Sequence, residues 1–285
     1  MRYLSARLSA APVLPKDPVL TPNTLQARLS IDGQPNWRGH NHSMRKVVYT
    51  AVTDGYPLHP VINRRNAWDF VCFAESAVHG EGWQTFLINK NDIVVESKLI
   101  PNDKAKTTKR IKLLPHLFLH DYDISIWIDS SLQFKTEINL DELVDGFLRS
   151  SSLMRVRQHP YRRCIYQEAE EVVRLGLDTW ESVIGVIGPY RREHFPRNLG
   201  LVEPNFILRK HNAPPLIKFS NEWWVRVRDF SRRDQLSFNY VLWRTPIDVS
   251  FIDDRVSPGV ELLSRGRDRG PFFNSTFNFF PTRGR

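Results

Sequence analysis

The chain has 285 residues, 41% hydrophobic and 25% charged, which suffices for one domain with a sizeable core and excludes disorder along its whole length. Forty Lys and Arg against thirty-one Asp and Glu give a net charge of +9, a balance that favours anionic partners such as phosphorylated small molecules, acidic headgroups or nucleic acid. Two cysteines, Cys72 and Cys164, exclude a disulfide framework and a cysteine-based zinc site, and no apolar run approaches the ~18 residues of a membrane-spanning helix.

Residues 1–44 carry Pro12, Pro15, Pro18, Pro22 and Pro35 with little periodicity and read as an irregular arm. Its opening residues have no apolar core of the signal-peptide kind. With two free thiols this gives an expected cytoplasmic location, peripheral contact with a membrane surface staying open. At Lys46 the pattern changes. KVVYTAV is a short β-branched run closed by Asp54-Gly55, a strand and a turn. WDFVCFAE and GWQTFLI are two more short apolar runs, with turn residues between them. From Lys104 to His120 the apolar residues Ile111, Leu114, Leu117 and Phe118 recur at helical spacing, with Pro115 ending or kinking the helix.

DISIWID is an apolar strand that stops at a carboxylate. Asn139 is placed to cap a helix running to Leu148. LMRVRQH is another strand, followed by helices over about 163–175 and 179–190. NFILR is a strand, residues 213–244 are mostly helical with a break near Ser231, and IDVSFID is a last strand before a loop-rich tail over 256–285. Strands alternating with helices predict an α/β fold, a mostly parallel sheet covered on both faces, over 45–255.

Ligands of such sheets bind beyond the carboxyl ends of strands. That directs attention to the ends of KVVYTAV, DISIWID, LMRVRQH and NFILR. Asp129 closes its strand and precedes Ser130 and Ser131. A carboxylate there can share Mg²⁺ or Mn²⁺ with a substrate diphosphate, or simply cap the next turn. The basic patches at Lys104–Lys112, Arg191–Arg197 and Arg265–Arg269 are short and separated, unlike a nucleic-acid-binding arm.

The blocks KVVYTAVTDGY, SKLIPNDKAKTTKRIKLLPHLFLHDYDISIWIDSSLQF, RQHPYRRCIYQEAEEV, EPNFILRKHN, the Trp223-Trp224 pair and RRDQLSFNYVLW occur in an order that resembles a family of glycosyltransferase-like domains. That family includes plant proteins of mucilage and cell-wall polysaccharide synthesis and bacterial relatives. The resemblance spans about 46–249 and implies a GT-A-like, Rossmann-like single domain that uses a nucleoside diphosphate sugar, UDP by default, and a glycan or other hydroxylated acceptor. It implies base and ribose contacts from Thr50, Thr53, Asp54 and Tyr56. It implies diphosphate contacts from Lys109, Arg110 and Lys112, and a metal-binding role for Asp129. Ser131 stands where a second metal-binding Asp is usual, at the donor site.

In the second block His159 reads as a metal ligand, a phosphate contact or part of a rigid turn with Pro160. Arg162 and Arg163 are candidate phosphate contacts, and Glu168 is a candidate catalytic group. Tyr166 is either core or a sugar platform. In the third block Asp234 is either a helix cap, a sugar contact or the base for the acceptor hydroxyl. Gln235 accompanies it at the donor. Trp223 and Trp224, adjacent on a helix, are core or an acceptor stacking surface. Three other readings compete. A catalytically inactive nucleotide- or carbohydrate-binding domain of the same fold draws on Ser131. Nucleic-acid binding draws on the +9 charge but lacks a recognition motif. A glycosidase needs two opposed carboxylates, which sequence spacing does not establish.

Overall fold

The computed structural model describes residues 44–53, 56, 58–61, 68–88, 103–134, 139–252 and 263–265. These belong to one compact unit that begins at Met44. Nearly all of the expected arm, most of the expected tail, and Asp54 lie outside the described residues.

Strands β1 (Lys46–Val52), β2 (Trp68–Ala74), β3 (Gln84–Leu87) and β4 (Ile124–Ile128) form the first half of the large sheet. They run parallel in the order β3-β2-β1-β4, the 3-2-1-4 order of a Rossmann-like half. The sheet continues through β7 (Val202–Arg209), β6 (Met154–Gln158) and β8 (Val249–Ile252). β7 is antiparallel to both neighbours while β6 and β8 are parallel to each other, so β7 alone runs against the other six. The α/β, mostly parallel sheet flanked by helices is thus as expected. β1 shows why its sequence lacks polar alternation. Val47 and Tyr49 pack in one cluster and Val48 in another, on opposite faces, all fully buried.

Helix α1 (Lys104–Leu113) starts at Asp103, whose carboxylate accepts the Ala105 N–H at 2.9 Å. Pro115 splits the expected long helix, and a single turn, α2 (Pro115–Phe118), follows. Asn139 caps α3 (Leu140–Leu148) as expected, accepting from Asp141 N. Helices α4 (Ile165–Arg174), α5 (Trp180–Arg192), α6 (Pro214–Asp229) and α7 (Gln235–Arg244) complete the layers. Among the described residues no helix is long and apolar enough to cross a membrane.

Two short strands escaped the sequence reading. β5 (Leu132–Phe134) pairs antiparallel with β9 (Leu263–Arg265). The expected tail therefore contributes a ladder partner for the strand that begins three residues after Asp129, and the folded unit extends at least to Arg265. Periodicity gave no signal because three residues are too few to show alternation.

Candidate functional site

The carboxyl ends of β1, β4 and β6 share one edge of the sheet. The end of NFILR does not. Because β7 is antiparallel, Arg209 pairs with Ser125 near the start of β4, and the beginning of β7 reaches the crevice instead. There Asp129 N–H donates to the Asn205 carbonyl at 3.0 Å, and His159 N–H to the Leu201 carbonyl at 2.8 Å. The β6–β7 register shifts between Val156 and Gln158. Pro204, which has no N–H for the ladder, lies in this irregular stretch beside the site.

Asp129 follows β4, and its backbone carbonyl accepts from Leu132 N at 2.9 Å, a tight turn. Its Oδ1 accepts the Trp127 indole N–H at 2.7 Å and stands 3.4 Å from Lys112 Nζ. The side chain is 38% exposed, whereas that of Lys112 is 1% exposed. Lys112 Nζ also lies 2.7 Å from Asp234 Oδ2, and Lys109 Nζ lies 3.0 Å from the same oxygen. Lys109 and Lys112, three apart on α1, face the same way. The result is a line of alternating charge, Lys109, Asp234, Lys112, Asp129, whose two middle members are buried and whose last stands at the open crevice.

The electrostatics follow from this order. Burial would raise the Asp234 carboxyl, but Lys109 and Lys112 override it and hold the group well below the usual carboxylate range. Burial pulls Lys112 down, and Asp129 and Asp234 more than offset that, so its ammonium is held above the ordinary lysine value. Lys109 is held below it, burial outweighing Asp234. Asp234 is the residue at the N-cap of α7, yet its side chain makes no capping hydrogen bond. The helix-cap reading is corrected: the lysines claim the carboxylate.

A second cluster joins the middle and last sequence blocks. Glu168, on α4 and 2% exposed, accepts from Arg162 Nε at 2.5 Å and from the Gln235 amide. His159 Nδ1 accepts the N–H groups of Tyr161 and Arg162 at 3.2 and 3.0 Å, and its Nε2 lies 3.7 Å from Glu168. The rigid-turn reading of His159-Pro160 is therefore present. Arg233 NH2 reaches Gln235 Oε1 at 3.5 Å, and Arg157 NH1 reaches Asn205 Oδ1 at 3.4 Å. Trp127, Arg157, Asn205 and Arg233 were not singled out from the sequence. Only the position of Trp127, two residues before Asp129 on a strand and so on the same face, offered a signal.

Other expected residues are placed as follows. Thr50 is fully buried within β1, away from any nucleotide surface, because it sits in mid-strand rather than at the strand's end. Thr53 is just past that end, and its carbonyl accepts from Tyr56 N at 3.2 Å. Tyr56 packs against the small cluster of Val52, Leu58, Cys72 and Ala74. Arg110 is separated from the lysine line. One residue on from Lys109 turns it ~100° around the helix, over the Phe118 ring. Arg163 and Ser131 are exposed. Tyr166 is core, its hydroxyl donating to the Phe195 carbonyl at 2.8 Å. Trp223 and Trp224 are 0% and 7% exposed, so neither offers a stacking surface. Trp223 Nε1 instead donates to the Asp234 carbonyl at 2.9 Å. Cys72 and Cys164 are free and buried.

A divalent cation needs several oxygen ligands with surplus negative charge. Here Asp129 Oδ1 is engaged, Asp234 is neutralised by two ammoniums, and His159 Nδ1 is taken by backbone N–H groups. Among the described residues no group of three or more His, Cys, Asp or Glu is disposed to hold a metal ion. Among the described residues the ligands therefore do not make up a cage of protein groups alone for Mn²⁺ or Mg²⁺.

A family model described as TOD1/MUCI70, glycosyltransferase-like domain, matches residues 84–253. No curated protein matches the sequence. Among solved structures, the chain is similar to the mannosyltransferase Ktr4p from S. cerevisiae, at 8% identity over 84% of this chain and 80% of that one, TM-score 0.43. It is similar to mouse xyloside xylosyltransferase 1, at 14% identity over 74% of this chain and 85% of that one, TM-score 0.44. It is also similar to the galactosyltransferase LgtC, crystallised with donor and acceptor sugar analogs, at 12% identity over 74% of each chain, TM-score 0.40.

Proposed function

The chain belongs to the TOD1/MUCI70 glycosyltransferase-like domain family, and on that premise we propose that it transfers a sugar from a nucleoside diphosphate sugar to a hydroxyl of a glycan or other acceptor. One observation carries the reading. The ammonium of Lys112 joins Asp129 and Asp234 at the carboxyl edge of a Rossmann-like half, where nucleotides bind such sheets. Asp129 is the carboxylate that faces the crevice, and we assign it to the reacting sugar. Asp234, held ionised by its two lysines, is too weak a base to collect a proton from an acceptor hydroxyl. Both lysines meet Oδ2, which leaves Oδ1 for a sugar hydroxyl. Glu168, saturated by Arg162 and Gln235, acts as a positioning residue that fixes the start of α7 beside β6. Metal assistance finds no support in the ligands present, and no step of this reading passes through a metal.

The test is thermal stability of the full chain with UDP, GDP, ADP and CMP. A ligand that binds only the folded state at a hundredfold its Kd stabilises by about 2.7 kcal/mol. A rise with one nucleoside diphosphate names the base and supports the reading; no rise with any of them sinks it. The engaged carboxylates and Ser131 favour a second reading, a binding domain without turnover. Nucleotide binding with neither transfer nor hydrolysis of the matching nucleotide sugar would establish that alternative.

A further inference from the structure

We propose that this site takes a nucleoside diphosphate without a divalent cation, the ammonium groups of Lys109 and Lys112 standing as the counter-charge that the metal would supply. The inference rests on the function proposed above and concerns the same site. Its starting point is the charge around the crevice. Lys109, Lys112, Arg157, Arg162 and Arg233 approach it from α1, β6 and the turns before α4 and α7. Against them stand Asp129, Asp234 and Glu168. Among these named side chains cations outnumber carboxylates, a balance that favours an anionic ligand.

Two of the three carboxylates are already spent. Asp234 and Glu168, 3% and 2% exposed, are each closed in by cationic side chains. A divalent ion arriving at Asp129 would meet one half-engaged carboxylate and, 3.4 Å behind it, the Lys112 ammonium. Like charge at that spacing, shielded from water by burial, opposes the ion. A diphosphate arriving at the same place meets the opposite field. It carries the negative charge that the surplus lacks, and Lys109, with a side chain 21% exposed, stands nearest to solvent on the lysine line. Fixed ammonium groups stabilise charge on a departing diphosphate as oriented dipoles and ions do elsewhere, with no reorganisation at the moment of reaction.

Titration calorimetry of the full chain with UDP, GDP, ADP and CDP, once in EDTA and once with Mn²⁺, tests this. The expected result is that a nucleoside diphosphate binds in EDTA with a Kd within about threefold of its value in Mn²⁺, under 1 kcal/mol apart. Lys109→Met should weaken that binding by about tenfold or more, and Lys109→Arg should keep it within about threefold. Lys112→Met, at a buried site, is read only if its near-UV circular dichroism is native, and Lys109→Met keeps the proposal testable otherwise. Binding that appears only with Mn²⁺ overturns the inference and leaves the transferase reading standing. EDTA-resistant binding indifferent to Lys109→Met also overturns it. Absence of binding in both conditions removes the transferase reading and this inference together.

Discussion

The ammonium of Lys112 lies 2.7 Å from the carboxylate of Asp234, with side chains 1% and 5% exposed. The contact ties the last turn of α1 to the residue that opens α7. It also makes each charge the reason the other can be buried. Removing one partner of such a pair strands the other in a medium that solvates it poorly.

Asp234→Asn should therefore cost about 3–5 kcal/mol of stability. Asp129→Asn, whose side chain is 38% exposed, should cost no more than about 1 kcal/mol, because solvent screens that end of the line. Urea unfolding of both variants checks the ordering. Equal losses would show that the two carboxylates do not differ in structural weight. In transfer assays Asp129→Asn should lose turnover despite its intact fold.

Acid should separate wild type from Asp234→Asn. A carboxyl held below its unfolded value stabilises the fold fully above the unfolded pKa of about 3.9 and loses that contribution as pH falls toward the folded value. The gap in unfolding free energy between the two proteins should be constant above about pH 4 and narrow below it. A constant gap down to the lowest measurable pH would contradict the depressed value.

His116 and His211 predict a second slope. Burial, with Arg209 nearby, pushes both down to about 4. Between about pH 6.5 and about 4 the unfolded chain binds protons that the folded chain does not. Stability should then fall as pH falls through that window. His116→Gln and His211→Gln should each flatten the slope, measured by urea unfolding at stepped pH. An unchanged slope in both would locate its origin elsewhere.

Trp223→Phe tests core against platform. The indole is fully buried, packed edge-on against Phe238 at 4.9 Å between ring centroids. The variant loses volume and strands the Asp234 carbonyl that the indole N–H serves. Together these should cost about 2–4 kcal/mol in thermal or urea unfolding. Native stability with weakened acceptor binding would restore the stacking role.

The elements were legible because local chemistry dictates them. Asn139 caps, Pro115 splits a helix, and IWID ends in a carboxylate. What the sequence hides is the sense of β7, since a strand buried on both faces reads alike in either direction. The lysines of α1 hide similarly. Lys106, Lys109 and Lys112 look like a solvated stripe. In the fold Lys106 donates to the Arg228 and Phe230 carbonyls at the end of α6, while the other two hold Asp234. Each partner lies far along the chain, so no local pattern can mark the stripe as buried. Asp129 was visible from its place at a strand end. The lysine that bridges it to Asp234 could be named as a candidate but not told from Arg110, which packs elsewhere.

The pairing of β5 with β9 bears on how the protein should be handled. Leu132 to Phe134 begin three residues after Asp129, and their ladder partners are Leu263 to Arg265. An expression boundary drawn at Ile252, where β8 ends the large sheet, would strip that partner away. The cut would leave the segment next to the crevice with unpaired backbone groups, a ready edge for self-association. Preparations meant for donor-binding work should therefore keep the chain at least through Arg265.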